Sequence, residues 1–267
     1  MLGSSVPKAH AEFIARAITV LPADPRIVGL AAAGSLASDT MDEYSDLDLV
    51  VAVDEGSYDE VRSERRRIAE SLGRLLAAFT GEHVFEPRLL ICLYDGPEPL
   101  HVDLKFVSLA DVADRVEDPL VLWERDGRLG RALARGVARY PAPDPQWIED
   151  RFWIWVHYAG TKVGRGELFE AIGFLAYLRG TVLGPLALQR AGARPSGVRN
   201  LERLAPEAIP DLAATVAGLS RRECLDALRA SVSAYRALRG ERPSVVVQAE
   251  AEAAAERYLA RLDSLAK

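Results

Sequence analysis

Residues 34–50 carry the sequence GSLASDTMDEYSDLDLV, in which a Gly-Ser pair is followed by two closely spaced carboxylates. Asp46 and Asp48 are separated by one residue, at the start of an apolar run over residues 47–53 (LDLVVAV) that predicts a β-strand. Because side chains alternate along a strand, Asp46 and Asp48 should share one face, with the leucines beside them on the other. The stretch therefore predicts a pair of carboxylates aimed at one site.

A third carboxylate lies in a second strand-like run, residues 100–107 (LHVDLKFV). Alternation places Asp103 and Lys105 on the polar face of that strand. Carboxylate oxygens are ligands that Mg²⁺ prefers, and a phosphoryl-transfer site usually combines several of them with phosphate oxygens and water. If the two strands are neighbours, Asp46, Asp48 and Asp103 converge, and together they form a predicted magnesium site.

The Gly-Ser pair follows a run of small apolar residues, 26–33 (RIVGLAAA), that predicts another strand. Glycine lets the backbone approach a ligand closely, and the amides after Gly34 and Ser35 could open a helix whose N-terminus faces phosphate. Phosphoryl transfer depends mainly on metal charge and on alignment of the attacking group. A phosphate-binding turn opposite a magnesium site would supply both.

Further elements are expected around these motifs. Apolar periodicity predicts, in chain order, a helix over residues 8–21, a helix over 58–79, a strand over 88–94 and an edge strand over 118–125. The turn signal Asp95-Gly96-Pro97 separates the strand over residues 88–94 from the strand that carries Asp103. These two strands should therefore pair as a hairpin.

The sequence PAPDP, residues 141–145, marks the clearest linker, because three prolines in five residues cannot continue a helix or a sheet. Beyond it the pattern is helical throughout, over residues 146–163, 167–190, 206–218, 221–239 and 244–265. We therefore expect an α/β (α+β) N-terminal domain with a small mixed sheet over residues 1–140. An α-helical bundle should follow over residues 146–267, with the active site in the cleft between the two.

Composition narrows the possible partners and the compartment. The 267 residues carry a formal charge of −6, so no general basic field draws the protein to duplex nucleic acid or anionic lipid. Cys92 and Cys224 are far apart and form neither a disulfide framework nor a metal-ligand spacing. No uncharged apolar run approaches the roughly 20 residues of a membrane helix. We expect a cytoplasmic protein, monomeric or homodimeric, that binds no membrane.

Taken together, the Gly-Ser pair, the Ser-Asp-x-Asp element and the later single Asp resemble the nucleotidyltransferase superfamily related to DNA polymerase beta. The helical second half resembles the aminoglycoside and lincosamide nucleotidyltransferases of that superfamily. The motif resemblance covers residues 26–107, and the remainder is similar only in architecture. It implies a nucleotidyltransferase catalytic domain followed by a helical acceptor-binding domain.

The resemblance also implies roles for individual residues. Asp46 and Asp48 would ligate Mg²⁺, and Asp103 would complete the metal site or help to deprotonate the acceptor hydroxyl. The residues implied to bind the nucleotide are Gly34, Ser35, Ser45 and Lys162. Glu167 would serve as a general base, although an acid in the first turn of a helix also interacts favourably with the helix dipole without any catalytic role. Lys162 could equally be an ordinary surface lysine.

The activity implied is Mg²⁺-dependent transfer of a nucleoside monophosphate, AMP from ATP, onto a hydroxyl of a small molecule. An aminoglycoside-like antibiotic is one candidate acceptor, which would connect the protein to antibiotic resistance. Two alternatives are left open. One is a protein adenylyltransferase of the toxin–antitoxin type, and the other is a non-catalytic nucleotide-binding regulatory module.

Overall fold

A computed structural model describes residues 6–240 and 245–265 of the chain. The chain divides into two compact units, Met1–Arg139 and Tyr140–Lys267. The first unit contains a sheet with helices on both faces, and the second is helical. Each unit is described by itself below.

The first unit is built on a six-stranded mixed sheet with the strand order β3-β4-β5-β2-β1-β6. The strands are β1 (Ile27–Ala32), β2 (Leu47–Val53), β3 (Leu75–Gly81), β4 (Glu86–Tyr94), β5 (Leu100–Ser108) and β6 (Leu120–Glu124). The central neighbours β2 and β5 run parallel, and every other pair in the sheet is antiparallel. This topology places the two aspartate-bearing strands side by side.

Helices cover the two faces of the sheet unequally. The helices of this unit are α1 (Lys8–Val20), α2 (Gly34–Ala37), α3 (Tyr58–Ser71) and α4 (Arg128–Leu133). Apolar side chains of α1 and α3 form the larger core with Leu47, Leu49 and Leu104. A smaller core with Val112 and Leu129 lies on the other face. Because side chains alternate, the face opposite the larger core receives the aspartates of β2 and β5.

Most predicted elements of this unit are confirmed, and one is wrong. The hairpin of β4 and β5 and the edge position of β6 are as expected. The helix predicted over residues 58–79 instead ends at Ser71, and residues 75–81 form β3, which pairs with β4. Gly73 adopts φ of 154°, which L side chains rarely adopt, and this breaks the helix. The leucines at 75 and 76 fit a helical spacing, but cross-strand pairing decides their conformation.

The second unit is a helical bundle, as expected. Its helices are α5 (Pro145–Arg165), α6 (Leu168–Leu178), α7 (Gly184–Arg190), α8 (Leu201–Leu204), α9 (Ile209–Ala213), α10 (Arg221–Arg239) and α11 (Ala249–Leu265). A π-helical turn joins α6 to α7, so the helix expected over 167–190 is nearly continuous. The helix expected over 206–218 is wrong in extent, because Pro206 and Pro210 leave only a 3₁₀ turn and the short α9. The last helix begins at Ala249, and residue 244 lies outside the described residues.

A buried carboxylate ties three parts of this bundle together. Glu149 of α5 is fully buried and accepts hydrogen bonds from Trp153 Nε1 (3.1 Å), Tyr235 Oη (2.5 Å) and the Gln248 amide (3.0 Å). Arg239 Nη1 lies 3.1 Å from its Oε1. Burial raises the pKa of Glu149, but these hydrogen bonds outweigh it and hold the pKa below its ordinary value. Glu149 is therefore a satisfied structural anion.

One helical stretch in the described part of the chain is long and apolar enough, by composition alone, to cross a membrane. It is Leu168–Arg190, and more than half of it is buried inside the helical unit. Core helices commonly meet the same criteria. Its burial accounts for its apolar composition.

Candidate active site

Three carboxylates converge where β2 and β5 run side by side. Asp48 pairs directly with Asp103 across the parallel ladder, and Asp46 immediately precedes β2. One carboxylate oxygen from each of the three residues lies within 4.8 Å of the others. All three side chains are half-buried. The structure therefore brings together the three residues that were predicted to converge if the two strands were neighbours.

This carboxylate triad (Asp46, Asp48 and Asp103) has the chemistry of a divalent-cation site. Like charges this close repel unless a cation lies between them. Hard oxygen donors converging on one point suit Mg²⁺, which usually keeps some of its water and takes the rest of its ligands from one or two carboxylates and from phosphate. The ring Nε2 of His101 lies 3.0 Å from an Asp103 oxygen, at the exposed edge of the triad. The donor set fits the predicted ion.

The backbone of Gly34, just after β1, lies close to Asp48 of the triad. It has φ of 59°, and a Cβ at this position would lie 2.2 Å from Asp48 Oδ2, so no larger residue fits without displacing that carboxylate. Its amide donates a hydrogen bond to Glu117 Oε1 at 3.1 Å. The neighbouring Ser35 hydroxyl is buried and has no hydrogen-bond partner among the described residues. The turn therefore carries two hydrogen-bond donors. The Gly34 amide is already bonded to the Glu117 carboxylate, and the Ser35 hydroxyl has no partner among the described residues.

Ser45, which was predicted to bind the nucleotide, is engaged within its own loop. Its hydroxyl donates to Asp42 Oδ1 (2.9 Å) and accepts from the Asp42 amide (3.0 Å). Its carbonyl accepts a hydrogen bond from Nε2 of His10, a buried residue of α1, at 2.7 Å. Ser45 therefore fixes the backbone immediately before Asp46, and its role toward a nucleotide stays a prediction.

His10 belongs to none of the sequence motifs. The spacing of His10 with Phe13, Ile14 and Ala17 places it on the apolar face of α1, and that signal indicates burial. The contact with the Ser45 carbonyl depends on how α1 packs against a loop far along the chain, which no local pattern shows. His10 therefore holds the Ser45 carbonyl, one residue before Asp46.

A pocket of about 410 Å³ opens from Asp48 and Asp103 along the same face of the sheet. Its floor and walls include apolar side chains of β5, α4 and the segment between β5 and β6, namely Val107, Val112, Leu129 and Leu133. Its charged lining adds residues without a role in the sequence-based site, namely Glu86, Arg88, Lys105, Asp114, Arg115 and Glu117. An apolar floor with a few charged groups is typical of a small-molecule site.

Glu86 is held between two cations in this pocket. Arg88 donates from Nε to Glu86 Oε1 (2.6 Å), and Lys105 Nζ lies 2.7 Å from Oε2. Burial raises the pKa of Glu86, but the hydrogen bonds from Arg88 and Lys105 lower it more, to about 2. Glu86 is therefore ionised at neutral pH. The alternation pattern placed Lys105 on this face, whereas no pattern indicated Glu86 or Arg88.

The two site residues predicted in the helical unit contact each other. Lys162 Nζ lies 2.9 Å from Glu167 Oε2 and 2.8 Å from Glu170 Oε1. Hydrogen bonds to Glu170 and then to Glu167 raise the pKa of Lys162 above its ordinary value. Arg165 Nη1 also lies 3.6 Å from Glu167. The catalytic role of Glu167 and the phosphate-binding role of Lys162 stay predictions.

Comparison with known proteins agrees with the fold and the motif. Residues 15–79 match the family model of the nucleotidyltransferase domain, a stretch that contains Gly34, Ser35, Asp46 and Asp48. The resemblance to the nucleotidyltransferase superfamily is therefore confirmed, together with the mixed sheet and the helical unit that follows it. The match identifies a nucleotidyltransferase domain within residues 15–79, and domains of this class transfer a nucleoside monophosphate from a nucleoside triphosphate to an acceptor.

More distant likenesses are found among solved structures. An aminoglycoside 6-adenyltransferase from Bacillus subtilis is 15% identical, with 95% of this chain and 97% of that chain covered and a TM-score of 0.37. A nucleotidyltransferase-like protein from Exiguobacterium sibiricum 255-15 is 16% identical, with 85% and 75% covered and a TM-score of 0.37. No curated protein sequence matches the chain. Likenesses this distant carry no information about the acceptor of this chain.

Proposed function

We propose that this protein is a Mg²⁺-dependent nucleotidyltransferase that moves AMP from ATP onto a hydroxyl of a small molecule. The observation that carries the proposal is the carboxylate triad, whose oxygens lie within 4.8 Å of one another directly beside the Gly34 turn. Three like charges converging at one point are costly in a site without a cation, and they are what a metal–nucleotide complex requires.

Each residue of the site has a defined task in this reaction. Asp46, Asp48 and Asp103 would hold Mg²⁺, which when bound neutralises phosphate charge. The Gly34 amide and the Ser35 hydroxyl would donate hydrogen bonds to phosphate oxygens. Asp103 would complete the metal site or help to deprotonate the attacking acceptor hydroxyl. These tasks are alignment and charge stabilisation, which are the main needs of phosphoryl transfer.

The acceptor that we propose is a small polyhydroxylated molecule, with aminoglycoside-like antibiotics as the first class to test. The helical unit exposes aromatic rings next to carboxylates, and Tyr158 donates a hydrogen bond to Glu170 Oε1 at 2.5 Å. Phe169 is 80% exposed in the same helix as Glu170. Aromatic rings and acids are suited to bind amino sugars, through stacking and charge. In this proposal Glu167 is the general base and Lys162 contacts phosphate, and the protein acts in the cytoplasm in antibiotic resistance.

The direct test is an acceptor screen. Purified protein is incubated with ATP and Mg²⁺ and with a panel of aminoglycosides and lincosamides, and pyrophosphate release is measured. We expect release with at least one acceptor and none without Mg²⁺. Labelling of a protein by radioactive ATP, with no small molecule modified, would replace this acceptor class with a protein.

The matched control is Asp46→Asn, which changes one ligand of the predicted ion and keeps the shape of the side chain. Release should disappear in this variant while its far-ultraviolet circular dichroism stays the same. Undiminished turnover in Asp46→Asn, or turnover of the wild type in excess chelator, would contradict the proposed metal site.

A further inference from the structure

Three charged side chains in the pocket have no task in the reaction described above. Arg88 donates from Nη2 to Glu86 Oε2 (2.7 Å) as well as from Nε to Oε1 (2.6 Å), so this pair is bidentate. Lys105 Nζ reaches the same Oε2 at 2.7 Å. One carboxylate is therefore shared by two cations. This basic cluster (Glu86, Arg88 and Lys105) carries one positive charge in excess.

The basic cluster lies immediately beside the carboxylate triad. Lys105 follows Asp103 by two residues on the same face of β5, a separation of about 7 Å along a strand. Both residues line the same pocket, together with Asp48. Arg88 belongs to β4, the neighbour of β5 on the side away from β2. Positive charge thus borders the triad on one side.

The Gly34 turn borders the triad on the other side. Gly34 follows β1, which pairs with β2 on the side away from β5. A phosphoryl group at the triad would therefore have the Gly34 amide on one side and the basic cluster on the other. The oxygens of that phosphoryl group on the β4 side are beyond the reach of Gly34. Among the described residues that line the pocket, Lys105 and Arg88 are the cations on the β4 side.

We propose that Lys105 and Arg88, whose charge Glu86 only partly offsets, form an oxyanion-binding subsite for the phosphoryl group of the nucleotide, on the side of the triad away from Gly34. The proposal rests on the proposed function, because the triad must hold the nucleotide. The same oxyanion chemistry could be supplied by an anionic group of the acceptor, and the experiment separates these two sources.

The charge balance distinguishes the basic cluster from an inert ion pair. The two cations of the cluster outnumber its one carboxylate, and all three side chains line the pocket. In the helical unit, Lys162 is shared by two carboxylates, so that group has no positive charge in excess. Lys105 therefore has positive charge left for a phosphoryl oxygen at the triad, and this task is separate from the phosphate contact proposed for Lys162.

The test measures nucleotide binding without turnover. Binding of a non-hydrolysable ATP analogue and of AMP, each with Mg²⁺, is measured by calorimetry for the wild type, Lys105→Met and Arg88→Gln. We expect each variant to bind both ligands about tenfold more weakly, since each loses a charge-assisted hydrogen bond. Lys105→Arg should keep most of the affinity. The control Arg74→Gln, which removes the exposed Arg74–Asp95 pair (3.0 Å) outside the pocket, should bind like the wild type.

A variant with the opposite expected sign excludes a merely structural role. Glu86→Gln leaves both cations in place and removes the charge that they share, so it should bind the analogue several-fold more tightly. If the cluster only stabilised the fold, Glu86→Gln would lower the melting temperature and leave affinity unchanged or weaker. That result would overturn the proposal.

The remaining outcomes identify the source of the oxyanion. Inorganic phosphate is titrated into protein already saturated with the analogue. Lys105-dependent binding of phosphate there, with analogue affinity unchanged in Lys105→Met, would assign the subsite to an anionic group of the acceptor. If Lys105→Met changes neither measurement, the subsite does not exist. If the wild type itself binds no nucleotide with Mg²⁺, the proposed function fails as well.

Discussion

Carboxylates have opposite surroundings in the two units of this protein. In the helical unit, Glu149 is fully buried and surrounded by donors from Trp153, Tyr235, Gln248 and Arg239. In the sheet unit, the carboxylate triad brings three acids within 4.8 Å of one another and leaves them half-buried. Hydrogen-bond donors surround the single negative charge of Glu149, whereas the triad gathers three negative charges at one point.

The difference separates a structural acid from a functional one. Four donors converging on Glu149 offset the desolvation of its charge and fix the packing of α5 against α10. In the triad, by contrast, three carboxylates are each other's close neighbours, so their charges repel one another. Removing the charge should therefore harm folding in the helical unit and activity in the sheet unit.

The largest effect is expected for Asp48→Asn. This residue touches both the ion site and the Gly34 turn, so losing its charge should lower the rate of pyrophosphate release by about a thousandfold, the scale seen when one preorganised electrostatic group is removed from a transition state. The measurement is pyrophosphate release at saturating ATP and Mg²⁺. Less than a tenfold loss would remove Asp48 from the predicted metal site.

The same variant should not be less stable. Without Mg²⁺, Asp48→Asn relieves repulsion within the triad, so its melting temperature should equal or exceed that of the wild type. Added Mg²⁺ should raise the melting temperature of the wild type and leave that of the variant nearly unchanged. A variant that melts well below the wild type would mean that Asp48 is structural, as Glu149 is.

The opposite behaviour is expected for Glu149→Ala. Removing this buried anion leaves Tyr235 and the Gln248 amide without their acceptor, and among the described residues Arg239 keeps its ion pair with Glu252 (3.0 Å). The free energy of unfolding should fall by about 3 kcal/mol. Urea denaturation followed by circular dichroism measures the loss.

The control for this prediction is Glu250→Ala, which removes an exposed carboxylate from the first turn of α11. It should cost no more than about 0.5 kcal/mol. Equal losses in Glu149→Ala and Glu250→Ala would show that the buried network contributes little to stability, and the contrast with the triad would disappear.

Much of the catalytic unit was predictable because its signal is local. Alternation alone placed Asp46 and Asp48 on one face, and the hairpin signal Asp95-Gly96-Pro97 brought the Asp103 strand into the sheet. The parallel pairing of β2 with β5, which sets Asp48 opposite Asp103, could be stated only as a condition. Strand order is a property of the whole sheet, and the sequence of one strand does not indicate which strands lie beside it.

The parts that were missed depend on contacts between distant segments. Glu149 occurs in a helix rich in charge and aromatic rings, and its burial follows from Tyr235 and Arg239, far along the chain. Glu117 contacts Gly34 across the sheet in the same way. The strand β3 was assigned to a helix because its two leucines continue the helical spacing of α3. In each case tertiary contacts decide what local periodicity leaves open.

A smaller effect is expected for Gly34→Ala, which connects folding and function within the sheet unit. The added Cβ would lie 2.2 Å from Asp48 Oδ2, at a residue whose φ of 59° already disfavours an L side chain. The variant should lose about 1–2 kcal/mol of stability. It should also lose most of the Mg²⁺-dependent rise in melting temperature, because Asp48 must move.

Ala33, which directly precedes the turn with extended backbone, provides the control for Gly34→Ala. Ala33→Gly flexes the same turn without adding atoms near Asp48, so it should lose some stability and keep the response to Mg²⁺. A Gly34→Ala variant with a full response to Mg²⁺ would show that the close approach of Gly34 to Asp48 is not needed for ion binding.

The smallest effect is expected for Glu117→Gln and concerns the Gly34 amide. That amide donates to Glu117 Oε1 at 3.1 Å, so a phosphate oxygen that binds it must first displace a carboxylate. An uncharged glutamine accepts the same bond more weakly and repels phosphate less, so the ATP analogue should bind about three- to tenfold more tightly to the variant. Calorimetry with Mg²⁺ measures the change, and Glu98→Gln, which removes an exposed carboxylate in the turn between β4 and β5 outside the pocket, should show none. Weaker binding in Glu117→Gln would mean that Glu117 helps to hold the ion–nucleotide complex. The metal site would then include Glu117 as well as the three aspartates.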